Sequence, residues 1–159
     1  MKDQLSEKYI KMAIELAIEH SKEGINGPFG AVITHKDRLV AQGWNRVHEW
    51  KDPTAHAEIV AIRAASQSLG RFNLDDCCLF SSCYPCPMCL AAAYWAGIKT
   101  VYYAATARDA DKAGFLDQKL IDEMCKSDKA KEIDLIRLET VESFKPFEQW
   151  LANPNRLKY

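Results

Sequence analysis

Two short stretches constrain this chain more than anything else in it: "TAHAEIVAI", Thr54 to Ile62, and "SSCYPCPMCL", Ser81 to Leu90. The first sets His56 and Glu58 at the foot of an apolar-periodic run. The second spaces Cys83, Cys86 and Cys89 three residues apart, with Pro85 and Pro87 between them. Imidazole nitrogen and thiolate sulfur are the usual donors to a tetrahedral metal ion. A fold that uses both stretches on one ion must bring the starts of two helices together, although Cys86 lies 28 residues beyond Glu58.

Two overlapping C-x-x-C pairs are available. Proline is tolerated in the first turn of a helix, so Pro85 and Pro87 mark a helix start. Cys86 and Cys89, three apart, then share one face, and the positive end of the helix favours their thiolate form. Two thiolates and a neutral imidazole balance one Zn²⁺ and leave its fourth position to water. Cys83 as a fourth ligand would instead close the site and make it structural. The open reading gives one Zn²⁺ per subunit on His56, Cys86 and Cys89. Its bound water falls to a pKa of about 7, and Glu58 takes and returns the proton. Each residue alone also has an ordinary reading: a packed thiol, a satisfied core histidine, a solvent-facing glutamate. Cys77, Cys78 and Cys125 are expected to be core or inert thiols.

Elsewhere the apolar spacing sets the frame. Leu5, Tyr9, Met12, Ala13, Leu16, Ala17 and His20 recur at three- and four-residue steps, with Gly24 at the C-cap position. "FGAVITH" and "LVAQGWNRV" around the turn "KDR" predict a hairpin. Thr54 is the expected N-cap of a helix over 55–69, closed by Gly70. "CCLFSS", "IKTVYYAA" and "IDLIRLET" predict three more strands, with helices over 85–95 and 115–125 between them. Helices alternating with strands after an initial hairpin predict an α/β fold: a mixed five-stranded sheet covered on both faces by helices.

At 159 residues one domain spanning 1–159 is expected. Hydrophobic residues at 48% and charged residues at 27% are globular values, which argues against disorder. The longest nearly apolar run, "LAAAYWAGI", is too short to cross a bilayer, so no membrane association is expected. The first twenty residues mix charges into a helical pattern and lack a secretory signal, so a cytoplasmic location is expected. Cytosolic thiols stay reduced, which makes six cysteines ligands and core residues rather than disulfides. With 21 basic and 22 acidic side chains the chain lacks the basic footprint of a nucleic-acid binder.

H-x-E followed by P-C-x-x-C is the signature of zinc deaminases. The chain resembles the cytidine-deaminase-like superfamily and, within it, the bacterial guanine deaminases. The matching segments are "GPFGAVI", "DPTAHAE", "LDDC", "SC-x-PCPMCL", "YWA", "AGF-x-D" and "PFEQW", with a terminal Tyr159. The resemblance implies a three-layer α/β/α sandwich and hydrolytic deamination of guanine to xanthine and ammonia. It also implies that Phe29 packs on the purine ring, Asn45 and Ala57 bind the base, and Asp117 contacts the exocyclic amino group as a catalytic residue. Trp95 matches a pocket-side aromatic. Tyr159 closes the pocket from a C-terminal segment, 141–159, exchanged within a homodimer. A carboxylate near the C2 amino group and flat aromatic faces suit a flat base. The family carries glutamate at position 84, whereas this chain has Tyr84, expected on the pocket rim or beneath the helix. The competing readings are a deaminase of cytosine, guanosine or tRNA adenosine, and a non-catalytic zinc-binding module.

Overall fold

A computed structural model of the chain describes residues 2–126, 135–136 and 145–155. The chain divides into two compact units, Met1–Cys125 and Lys126–Tyr159. In the first, α1 (Lys2–Ser21) is followed by strands β1 (Gly30–His35) and β2 (Arg38–Trp44). Then come α2 (Val47–Trp50), α3 (Ala57–Leu69), β3 (Cys77–Cys83), α4 (Pro87–Trp95), β4 (Thr100–Ala105), α5 (Ala107–Lys112) and α6 (Asp117–Met124). The second unit contributes α7 (Lys145–Ala152), along which Phe147, Trp150 and Leu151 are exposed at helical spacing.

The strands form one mixed sheet in the order β2-β1-β3-β4. β1 pairs antiparallel with β2 and β3, and β3 pairs parallel with β4. The sheet therefore has four strands among the described residues, where five were expected. The expected fifth strand, "IDLIRLET", lies almost wholly outside the described residues, and Leu135 and Ile136 have no regular structure.

Strand alternation sorts the core into two layers. Ala31, Ile33, Cys77 and Leu79 pack toward Ala57, Ala61 and Ala65 of α3 and Ala93 of α4. Val32 and Phe80, on the opposite face, pack toward Tyr9, Ala13 and Leu16 of α1. Helices thus cover both faces of the sheet, in three layers. Each fully buried Val, Leu or Ile contributes about 1.5–3 kcal/mol by leaving water. Two glycines let the helices sit close. A Cβ on Gly30 would lie 2.2 Å from the Ala13 carbonyl oxygen, and one on Gly43 would lie 2.3 Å from that of Ala57. Any larger residue at position 43 would push α3 off the sheet, and α3 carries the functional motif.

The start of α3, the end of β2 and the presence of α5 differ from the sequence reading. Thr54 does not cap α3: its hydroxyl and backbone N–H both donate to Asp52 Oδ1, at 2.6 and 2.8 Å. His56, with extended backbone, takes the cap position and the helix starts two residues later. The second hairpin strand ends at Trp44 because Asn45 Oδ1 accepts the Val47 N–H and the chain turns into α2. The short α5 was not expected, although "TARD" spells a capping box. Thr106 and Asp109 exchange side-chain to backbone bonds there. Among the described residues, no helix is long and apolar enough to cross a membrane.

Candidate metal and catalytic site

Two helix N-termini meet, that of α4 following directly on the end of β3. His56 is the N-cap of α3 and Cys86 the N-cap of α4, both in extended backbone conformation, and Pro87 occupies the first turn of α4. His56 Nδ1 lies 3.6 Å from Cys86 Sγ. The donor atoms of His56, Cys86 and Cys89 all lie within 4.8 Å of one another. Tetrahedral zinc with bonds of about 2.3 Å to sulfur and about 2.0–2.1 Å to nitrogen holds those two atoms about 3.6 Å apart, so the donor set and spacing fit. Among the described residues these three form the group; Cys83 is not part of it. Its thiol instead donates to the Thr106 carbonyl oxygen at 3.5 Å. Among the described residues the site therefore has three protein donors, the number that catalytic zinc sites use, where structural ones use four.

Electrostatics agree with geometry. Both helices aim their positive ends at the cluster. Cys86 is pushed down to about 4, chiefly by the hydrogen bond from the Cys89 thiol and also by His56. Cys89 is pushed up, because it is the donor in that bond, because it is buried, and because Glu58 lies beside it. Without metal the pair keeps one proton, which a divalent cation would displace on binding.

Glu58 sits in the first turn of α3, 6% exposed. Burial pushes its carboxyl up, and hydrogen bonds from Ser81 and Cys89 pull the other way. Ser81 donates to Glu58 Oε1 at 2.9 Å. The sequence reading did not single out Ser81, although alternation along "CCLFSSC" already placed it on the α3 face.

The remaining expected residues are distributed unevenly. Asn45 is buried, and its Oδ1 accepts the N–H groups of Gly27 and Val47, at 3.4 and 3.3 Å. Its own N–H donates to the Phe29 carbonyl oxygen, so Phe29 and Asn45 are neighbours. The Phe29 ring stands edge-on to Phe115 with centroids 4.8 Å apart, beside an apolar cavity of about 380 Å³. Ala57 is fully buried one residue past His56. Trp95 is the last residue of α4, roughly 13 Å of helix from Cys86. It is 70% exposed and lines an apolar groove of about 520 Å³ with Tyr84, Tyr94 and Ile121, so within one copy of the chain it is not at the cluster. Tyr84 stands edge-on to Tyr103 at 5.1 Å, against the sheet. Asp117 opens α6, its side chain outside the described ones, and Tyr159 lies outside the described residues altogether.

A second feature missed in the sequence braces the site. Arg46 stacks over Trp44 at 3.9 Å and over Trp50 at 4.8 Å. His20 stacks on Trp44 at 3.7 Å. Two groups that close to one ring centre cannot share a face, so Trp44 is sandwiched between His20 and Arg46. The Arg46 N–H donates to the Ala55 carbonyl oxygen, next to His56.

Residues 3–105 match the family model for the cytidine and deoxycytidylate deaminase zinc-binding region. The chain belongs to this family. It is 45% identical to the guanine deaminase of Bacillus subtilis over 96% of its own length and 98% of the relative's. The crystal structure of that guanine deaminase superposes with a TM-score of 0.93, again covering 96% of this chain and 98% of that one. A tRNA-specific adenosine deaminase of Buchnera aphidicola is 31% identical over 76% of this chain and 80% of the relative. In this zinc-binding family, the group of His56, Cys86 and Cys89 is one that could hold a metal ion, and Glu58 is buried beside Cys89.

Proposed function

We propose that this protein hydrolyses guanine to xanthine and ammonia. The observation that carries the reading is the end-to-end likeness to a guanine deaminase, in sequence and in structure, around an intact three-donor cluster. The tRNA-specific relative covers less of the chain at lower identity.

His56, Cys86 and Cys89 would hold one Zn²⁺. The bound ion supplies Lewis acidity that makes water a nucleophile near neutral pH. Glu58 would do the proton work: its carboxylate would take one proton from the attacking water and pass it to a ring nitrogen, then take the second from the hydroxyl left on the same carbon and pass it to the departing amino group, so that the carbonyl forms as ammonia leaves. Burial beside the cluster, in reach of Cys89 and held by Ser81, puts the carboxylate where both proton transfers would occur.

The base itself would lie on Phe29, with the Asn45 amide and the Ala57 backbone at its edge. The Asn45 carbonyl is already committed to backbone donors, so its NH₂ is the group offered to a ligand. Asp117 would accept from the exocyclic amino group. Trp95 and Tyr159 complete the pocket in a cytoplasmic homodimer that exchanges residues 141–159. Exposed Tyr94 and Trp95 on α4 support an apolar contact between copies.

Ammonia release from a panel of guanine, adenine, cytosine, guanosine and tRNA tests the reading. Guanine is expected to give the dominant rate, and Glu58→Ala is expected to keep zinc while losing at least about 100-fold in turnover. Dominant release from tRNA, or unchanged turnover in that variant, would sink it. Sedimentation velocity tests the dimer.

A further inference from the structure

We propose that Ser81 is a positioning residue for the reaction, its hydroxyl fixing the Glu58 carboxylate in the orientation that moves protons. The inference rests on the deaminase reading above, but the bond it concerns can be measured without turnover.

Ser81 and Ser82 are adjacent, both buried, at 2% and 8% exposure, and strand alternation sends them to opposite faces of the sheet. Ser82 accepts the backbone N–H of Gly30 at 3.0 Å, a structural bond. Ser81 donates to Glu58 Oε1 at 2.9 Å across 23 residues of sequence. One hydroxyl thus serves the backbone and the other serves the general acid and base.

The donor sits where it cannot yield. Ser81 is near the middle of β3, in register with Ala31 on one side and Tyr103 on the other. Glu58, by contrast, reaches the cluster on three rotatable side-chain bonds from the first turn of a helix. A fixed donor on one oxygen sets the plane of the carboxylate, so its orientation is established before substrate arrives. Preorganisation of this kind is where positioning residues contribute to rate.

The residue type also fits a proton carrier. A hydroxyl both donates and accepts, so Ser81 can satisfy Glu58 as carboxylate and as carboxylic acid. A lysine or arginine there would favour only the ionised form. An alanine would leave a buried oxygen without its partner.

The experiment compares Ser81→Ala, Ser81→Thr and the control Ser82→Ala for zinc content, kcat and KM on guanine. Ser81→Ala is expected to keep one zinc, lose about tenfold or more in kcat, the scale of one hydrogen bond to a charged group, and leave KM within about twofold. Ser81→Thr, which keeps the hydroxyl, is expected to recover most of that rate. Ser82→Ala is expected to lose stability and keep kcat. The same Ser81→Ala change is then measured by urea unfolding of the zinc-loaded protein, with Glu58 intact and in Glu58→Ala. It is expected to shift the midpoint much less when Glu58 is already gone. Full kcat in Ser81→Ala, loss of its zinc, or equal midpoint shifts in the two backgrounds would each overturn the proposal. A wild-type protein that releases no ammonia from guanine would overturn the substrate reading instead, and the unfolding comparison would still decide the Ser81 bond.

Discussion

His56 Nδ1 and Cys86 Sγ stand 3.6 Å apart, each on the cap residue of its own helix, so the three-donor cluster is a junction of two helix ends. His56→Ala is therefore expected to lose zinc and all turnover together. Cys83→Ser, whose native thiol bonds the Thr106 carbonyl instead, is expected to keep one zinc per chain and full activity. Metal analysis beside an ammonia assay checks both. Loss of zinc in the Cys83 variant would mean that four protein ligands close the site.

Burial raises the Glu58 carboxyl above its ordinary 4.5 in the metal-free protein, while in the unfolded chain it titrates near that value. The folded state then holds its proton more tightly than the unfolded state. This contribution is fully present below the unfolded pKa and is lost as pH rises from about 4.5 through the folded value. Glu58→Gln removes the titration. Chelator-treated Glu58→Gln is expected to be more stable than chelator-treated wild type at pH 7, with the gap narrowing toward about pH 4. Urea midpoints at the two pH values measure it, and a gap independent of pH would contradict the assignment.

Gly43 lets the start of α3 lie against β2, with the Ala57 carbonyl oxygen 2.3 Å from where a Cβ would stand. Gly43→Ala is expected to cost about 1–3 kcal/mol or more and to weaken zinc binding, because the displaced segment carries His56. Gly70→Ala, at φ +64 with open space around it, is expected to cost about 1 kcal/mol through local strain alone. Zinc titration and thermal unfolding of both variants separate the two causes.

Arg46 is held between Trp44 and Trp50, and its N–H reaches the residue before His56. Arg46→Ala is expected to cost about 1–2 kcal/mol, the worth of a partly desolvated cation over aromatic faces. Arg46→Lys keeps the charge without the planar stack and is expected to recover only part of it. Urea unfolding followed by tryptophan fluorescence reads both effects. Full recovery by lysine would show that charge, not stacking, holds the corner.

Much of the fold was legible because it depends on local periodicity. The spacing of Leu5 to His20, the β-rich composition of "GAVITH" and the glycine after Leu69 each specify an element without reference to anything distant. The errors fell where a side chain from outside the pattern intervened. Thr54 looked like a cap until Asp52 claimed both its donors, and "LVAQGWNRV" read as one strand until the Asn45 carbonyl turned the chain at Val47.

The sequence by itself determined the chemistry: a histidine, two cysteines and a glutamate at spacings that a zinc-dependent hydrolysis requires, and the order of helices and strands that carries them. Ligand identity and helical phase are local properties, so residue type and spacing suffice to state them. Only the tertiary structure showed that the donor atoms of His56, Cys86 and Cys89 converge within 4.8 Å, that the Cys83 thiol donates to the Thr106 carbonyl, and that Ser81 donates to Glu58. Those outcomes depend on which side chains meet across a sheet after two distant helix ends have been packed together. Distances between residues far apart in the chain are fixed by packing in the core, and no local pattern contains them.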